Sequence, residues 1–174
     1  MKFTVEMLTR RVDYLRFRQV YFSESFNREI MKAVNLQERS TQERVVGEDG
    51  KERIRVRIVP KIALPGVIQK LLEGHPISYD EITVFDPQAR QASFAIESLA
   101  RDNVQVTGQV SFLDEGDGVR FRFEGDARVK VFGLGGLIER FLVGEVKSRY
   151  ALLEQALQRF VDEGRDLEPM PLDG

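Results

Sequence analysis

The sequence predicts an α+β fold, a curved antiparallel sheet of about six to seven strands wrapped around one long C-terminal helix. Two patterns carry this. Val119, Phe121, Phe123, Ala127 and Val129 alternate with Arg120, Arg122, Glu124, Asp126 and Arg128, as in an antiparallel strand with one face in the core and one in water. From Leu137 to about Glu163 the period changes to 3.6, with Ile138, Phe141, Leu142, Val146, Tyr150, Leu153, Leu157 and Phe160 in one stripe. Such a helix is about 40 Å long and can cross a whole sheet. Each strand has one apolar face and only one long helix is available to cover it, so a sheet that curves around the helix is the economical arrangement.

The elements follow in order. Phe3, Val5 and Met7 alternate with Lys2, Thr4 and Glu6, which reads as a strand. The stretch RVDYLRFRQVYF suits either a short helix or a strand. In SESFNREIMKAVNL, Ser23 is a cap and Phe26, Ile30 and Val34 recur every four residues, a helix. Residues 37–46 and 51–60 flank the turn Gly47 to Gly50, and Ile54, Val56 and Ile58 alternate with Arg53, Arg55 and Arg57. LPGVIQKLLEG reads as a short helix closed by Gly74. Residues 77–85 and 90–97 form a hairpin about Asp86-Pro87, followed by the strand with Val104, Val106, Val110 and Phe112. Gly108 and Gly125 interrupt the apolar sets, where glycine marks a bend or a bulge and helps a sheet curve. Residues 1–163 are read as one domain and residues 164–174, polar and proline-bearing, as a flexible tail.

Composition narrows the function. With 26 basic against 28 acidic residues there is no bulk attraction to nucleic acid or anionic lipid. No cysteine is present, which excludes disulfides, thiol nucleophiles and thiolate metal sites. No signal peptide and no apolar run of membrane-spanning length is visible, so a cytoplasmic location is expected. The segment KVFGLGGLIERF raises the question of a phosphate loop. Gly133 and Gly135 match the first two glycines of a dinucleotide fingerprint, but its sixth position is Ile138, no strand follows, and no Gly-Lys-Ser/Thr triplet occurs. The glycines therefore read as a turn, with Gly136 letting the helix start close against the sheet.

The opening MKFTVE, the stretches VYFSESFN and RIVPKIALPGVIQKLL with the following SYDE, and VKVFGLGGLIERFLVGEV together resemble a bacterial family catalogued as domain of unknown function 2505. That family lies in the START or SRPBCC superfamily, polyketide-cyclase-like proteins with a helix-grip fold. The resemblance runs from Met1 to about Glu163, and the C-terminal block is its most specific part. It implies a hydrophobic cavity between the sheet and the last helix. Members of the wider superfamily bind or carry lipids, sterols and polyketides, and a minority are enzymes.

The expected function is binding or transport of a hydrophobic, lipid-like small molecule in a cavity of about 300–1,000 Å³. Phe94, Phe112, Phe121, Phe123, Ile138, Leu142 and Tyr150 are the expected wall residues. ALPGVIQKLLEG is the expected lid, hinged at Pro65, with Val67, Ile68, Leu71 and Leu72 as its apolar face; transient membrane contact through it is compatible with a carrier. Tyr79, Glu97 and Tyr150 are candidate inward polar anchors. The alternative is a non-catalytic interaction module, with the same side chains in a filled core and Arg53, Arg55, Arg57, Arg120, Arg122, Arg128 and Lys130 as a basic patch. Interleaved Glu124 and Asp126 argue against that patch. A cyclase- or hydrolase-type enzyme ranks lower. The one histidine, His75, precedes a proline in a loop, no serine sits in a nucleophile elbow, and Glu73, Asp80 and Glu81 show no metal-ligand spacing. No cofactor, metal or nucleic acid is expected.

Overall fold

The computed structural model describes residues 1–71, 77–97 and 103–170 and, for Val67 and Leu71, the backbone alone. The chain opens with β1 (Lys2–Arg10), α1 (Tyr14–Tyr21) and α2 (Glu24–Ala33). The segment open to both readings is thus a helix. Asp13 caps it by accepting from the Arg16 backbone N–H at 2.7 Å, and Tyr14, Phe17 and Val20 recur every third residue on its buried face. Ser23 caps α2 as expected, its Oγ accepting from the Phe26 N–H at 3.0 Å. Next come β2 (Leu36–Val46), β3 (Glu52–Pro60), α3 (Gly66–Leu71), β4 (Tyr79–Asp86), β5 (Gln91–Glu97), β6 (Val104–Glu115), β7 (Gly118–Val129) and α4 (Gly135–Asp162). Gly74 lies outside the described residues.

All seven strands join one antiparallel sheet in the order β1-β7-β6-β5-β4-β3-β2, leaving β1 and β2 as edges. The 28-residue α4 packs chiefly along β1 and β7 at one side of the concave face. Polar side chains of α4 stitch it to the edge strand. Glu154 Oε1 accepts from the Leu8 N–H at 2.7 Å, and Gln158 Oε1 from the Arg10 N–H at 2.8 Å. Donors that an edge strand would otherwise present to solvent or to another chain are thereby satisfied. Because α4 sits to one side, α1 and α2 share the covering of the sheet. Their Phe17, Val20 and Phe26 are fully buried, and Phe17, Phe85 and Phe121 pack edge-to-face around Phe112 with centroids 5.6–5.7 Å from its own.

Gly108 and Gly125 face each other across β6 and β7 with no shift in register. They make space rather than a bulge. A Cβ on Gly108 would lie 2.5 Å from the Glu124 carbonyl oxygen and collide with the Phe123 ring. Phe94 and Phe3 pack edge-on to Phe123 beside this bare floor, with centroids 5.1 and 5.3 Å away. The register shifts fall in β2 instead, at Leu36/Glu38 and Thr41/Glu43.

The glycines before α4 form a turn. Gly133 has a φ of +70°, and the Gly135 N–H donates to the Val131 carbonyl at 2.9 Å. The close approach belongs to Gly135, where a Cβ would lie 2.5 Å from the Val129 carbonyl oxygen; Gly136 faces open space. The segment expected as a flexible tail is described through residue 170. Through residue 170 the chain docks on α2: the Glu24 N–H donates to the Glu168 carbonyl at 2.7 Å, Glu168 N–H to Ser25 Oγ at 2.8 Å, and Met170 is buried in the core. Leu167 and Met170 supply the apolar contacts, three residues apart in an otherwise polar segment.

Gly108→Ala is expected to lower the unfolding free energy by about 1–3 kcal/mol, because backbone as well as a ring must yield. Urea denaturation measures this, and an unchanged midpoint would show that the bare floor is not required.

Candidate functional site

An interior cavity lies between the concave face of the sheet and helices α2 and α4. It has two adjoining lobes of about 100 and 60 Å³, which share Tyr21, Ile30, Arg39, Glu81, Phe94 and Tyr150 as walls. Phe123, Val106 and Ile58 close the first lobe from the sheet, and Val146, Arg149 and Leu153 close it from α4. Phe112, Phe121 and Val56 line the second. Tyr150 is half-buried and borders both lobes, as a residue on a cavity wall does.

Into this apolar chamber project several polar groups. The β2 register places Arg39 opposite Ile58, facing inward. Its Nε donates to Asn27 Oδ1 and its Nη1 to Glu81 Oε2 at 3.4 Å. Asn27 is itself buried and donates to Glu24 Oε2 at 3.3 Å. A chain of hydrogen bonds therefore runs from the start of α2 to the Glu81 carboxylate in β4 and fixes that carboxylate beside the cavity. Burial pushes the Tyr21, Tyr79 and Tyr150 phenols well above their ordinary range. Glu81 adds to the upward shift at each, and Arg39 opposes it. All three stay protonated at neutral pH and can donate.

Comparison with known proteins places this architecture. Residues 9–161 match the sequence profile of a family described as "Protein of unknown function (DUF2505)". The chain belongs to that family. No curated protein matches it in sequence. Among solved structures, TTHA0849 from Thermus thermophilus is similar at 16% identity and a TM-score of 0.65, over 95% of this chain and 100% of that one. A START superfamily protein from Mycobacterium smegmatis is similar at 17% identity and a TM-score of 0.55, over 95% and 98%. The Zhui aromatase/cyclase from Streptomyces sp. R1128 is similar at 11% identity and a TM-score of 0.57, over 94% and 93%. These likenesses show the fold, the helix-grip arrangement of START-like proteins.

In this DUF2505 member the expected wall residues divide. Phe94 and Tyr150 border both lobes, Phe123 the first, and Phe112 and Phe121 the second. Ile138 and Leu142 lie toward the start of α4, in a separate apolar cluster with Ile68 and Val129, and border neither lobe. Within the expected lid, Ile68 is buried in that cluster while Pro65 is exposed, its carbonyl accepting from the Ile68 N–H at 2.8 Å. The side chains of Val67 and Leu71, and all of Leu72 and His75, lie outside the described residues. Of the three candidate anchors, Tyr79 and Tyr150 face the cavity, whereas Glu97 is exposed on the outer face of the sheet. Arg39, Tyr21 and Arg149 are wall residues that the sequence does not single out, and it offers Glu81 only as a metal-ligand candidate. The one signal, for Glu81, is its position two residues after Tyr79 on the same face of β4. The outer arginines form no free basic patch: Arg53 pairs with Glu43, Arg55 and Arg57 with the fully buried Asp80, Arg120 with Glu115 and Glu6, Arg122 with Glu6 and Glu124, and Arg128 with Asp126. The Arg57 guanidinium, helped by Arg55, holds the Asp80 carboxyl below the usual range.

Burial also raises Tyr14, so all four tyrosines of the chain should titrate late. Unfolded tyrosines lose their protons near pH 10 while the native ones keep theirs, so the native state binds more protons and stability falls as pH rises above about 10. Tyrosinate absorbance should rise only together with loss of the native circular dichroism spectrum. Ionisation near pH 10 with the fold intact would contradict burial of these phenols.

Proposed function

We propose that the protein binds a hydrophobic small molecule in the cavity between the sheet and α4. The observation that carries this is the cavity itself, unfilled beside an aromatic core packed ring against ring. Native interiors rarely leave such space without a use. The lobes are smaller than the 300–1,000 Å³ expected of a typical ligand site, because Phe94, Phe121, Phe123 and Tyr150 occupy much of the chamber. The occupant is correspondingly compact.

Catalysis of the cyclase kind is the second reading, favoured by the convergence of Arg39, Glu81 and three tyrosines on one space. A cyclase occurs among the similar structures. Binding ranks first because Glu81 is engaged by Arg39, and burial moves the phenols away from the near-neutral range in which proton exchange is efficient. The interaction-module reading falls behind both, since the core contains space and the outer arginines are paired.

Protein purified without detergent is expected to carry an adduct of one chemical class in native mass spectrometry, or to take up phenol on incubation. Val146→Phe, which places a ring in the first lobe from α4, should abolish uptake while the circular dichroism spectrum and Tm stay those of the parent. A protein that stays empty with both lipid extract and phenol refutes the binding reading.

A further inference from the structure

The polar wall of the cavity holds more donors than acceptors. Arg149 lines the first lobe with only 19% of its side chain accessible, and among the described residues it makes no side-chain hydrogen bond. Its one ion pair is with Glu145 at 3.7 Å, a carboxylate 37% exposed and absent from the cavity wall. The Tyr21, Tyr79 and Tyr150 hydroxyls likewise have no hydrogen-bond partner among the described residues, and all three line the first lobe. Against these donors stands a single carboxylate, Glu81, already bonded to Arg39. Two guanidinium groups and one carboxylate leave the lobe one positive charge in excess. Glu145, 3.7 Å from Arg149 and more exposed than it, compensates that charge only in part, and a bound anion would complete the pairing.

Size sets the second limit. A cavity of about 150 Å³ accommodates a benzene ring, and the two lobes here measure about 100 and 60 Å³. A ring with one short substituent fits that space, whereas an extended acyl chain does not.

We propose that the occupant is a compact aryl or alicyclic carboxylate, its anionic group at Arg149 and Tyr79 and its ring against Phe94 and Phe123. This rests on the reading of the cavity as a binding site. Arg149, with its guanidinium free to form paired hydrogen bonds, is the residue that selects charge. The Tyr79 hydroxyl lies within its field, and Arg149 acts to lower the phenol's pKa against the dominant effect of burial.

Isothermal titration with benzoate, its uncharged isostere benzamide, phenol and hexadecanoate tests the proposal. The benzoate should bind about tenfold or more tightly than the benzamide, as charge-assisted hydrogen bonds require. Arg149→Met should bring the two within about twofold, by weakening the benzoate alone, and Arg149→Lys should restore part of the preference. Equal binding of acid and amide to the parent protein overturns the anion assignment while leaving the cavity reading intact. Tighter binding of hexadecanoate than of the benzoate overturns the size limit. If no compound binds, including the phenol, the cavity is not a binding site and both readings fall together.

Discussion

The attachment of α4 to the β1 edge decides what the rest of the interior can be. A helix laid along the middle of the concave face would bury its stripe on every strand and leave little space. Here Glu154 and Gln158 accept from β1 backbone donors and hold the second half of α4 against β1 and β7. Two hydrogen bonds to backbone groups contribute only about 1–3 kcal/mol in total, but they fix the lateral position of a long helix. The region over β3, β4 and β5 is then left to α2, Arg39 and the cavity.

Curvature is the second condition. The facing glycines in β6 and β7 leave a bare floor beside the Phe3, Phe94 and Phe123 rings. One end of the chamber is closed by interlocking aromatics from α1, β4, β6 and β7. The other is left with space lined by tyrosine hydroxyls, Arg149 and the Arg39–Glu81 pair. Rigid packing next to a polar-lined gap is an arrangement suited to holding a ligand in one orientation, since the walls need not reorganise to receive it.

Much of this was legible in the sequence because period-two and period-3.6 patterns are strong where one face is apolar. The alternation of Phe121 and Phe123 with arginines placed those rings inside, and Tyr79 and Tyr150 were candidates for inward polar groups. What escaped has physical reasons. Strand β2 carries no apolar alternation, and two shifts of register break its period, so nothing marked Arg39 as inward-facing. The stripe of α4 continues over its whole length, so periodicity alone could not tell that Ile138 and Leu142 pack with Ile68 while Val146, Arg149 and Tyr150 reach the cavity. Leu167 and Met170 are hidden by polar neighbours in a segment whose docking depends on backbone and hydroxyl groups at the start of α2.

The most direct measurement is a crystal structure of protein prepared without detergent, refined far enough to interpret density between Phe94, Arg149 and Tyr150. The account predicts density for a compact molecule there, with a polar atom within hydrogen-bond distance of Arg149 or one of the three tyrosine hydroxyls. No such density, with Val146 and Arg149 packed directly onto Phe94 and Phe123 so that no space remains between α4 and the sheet, would contradict it.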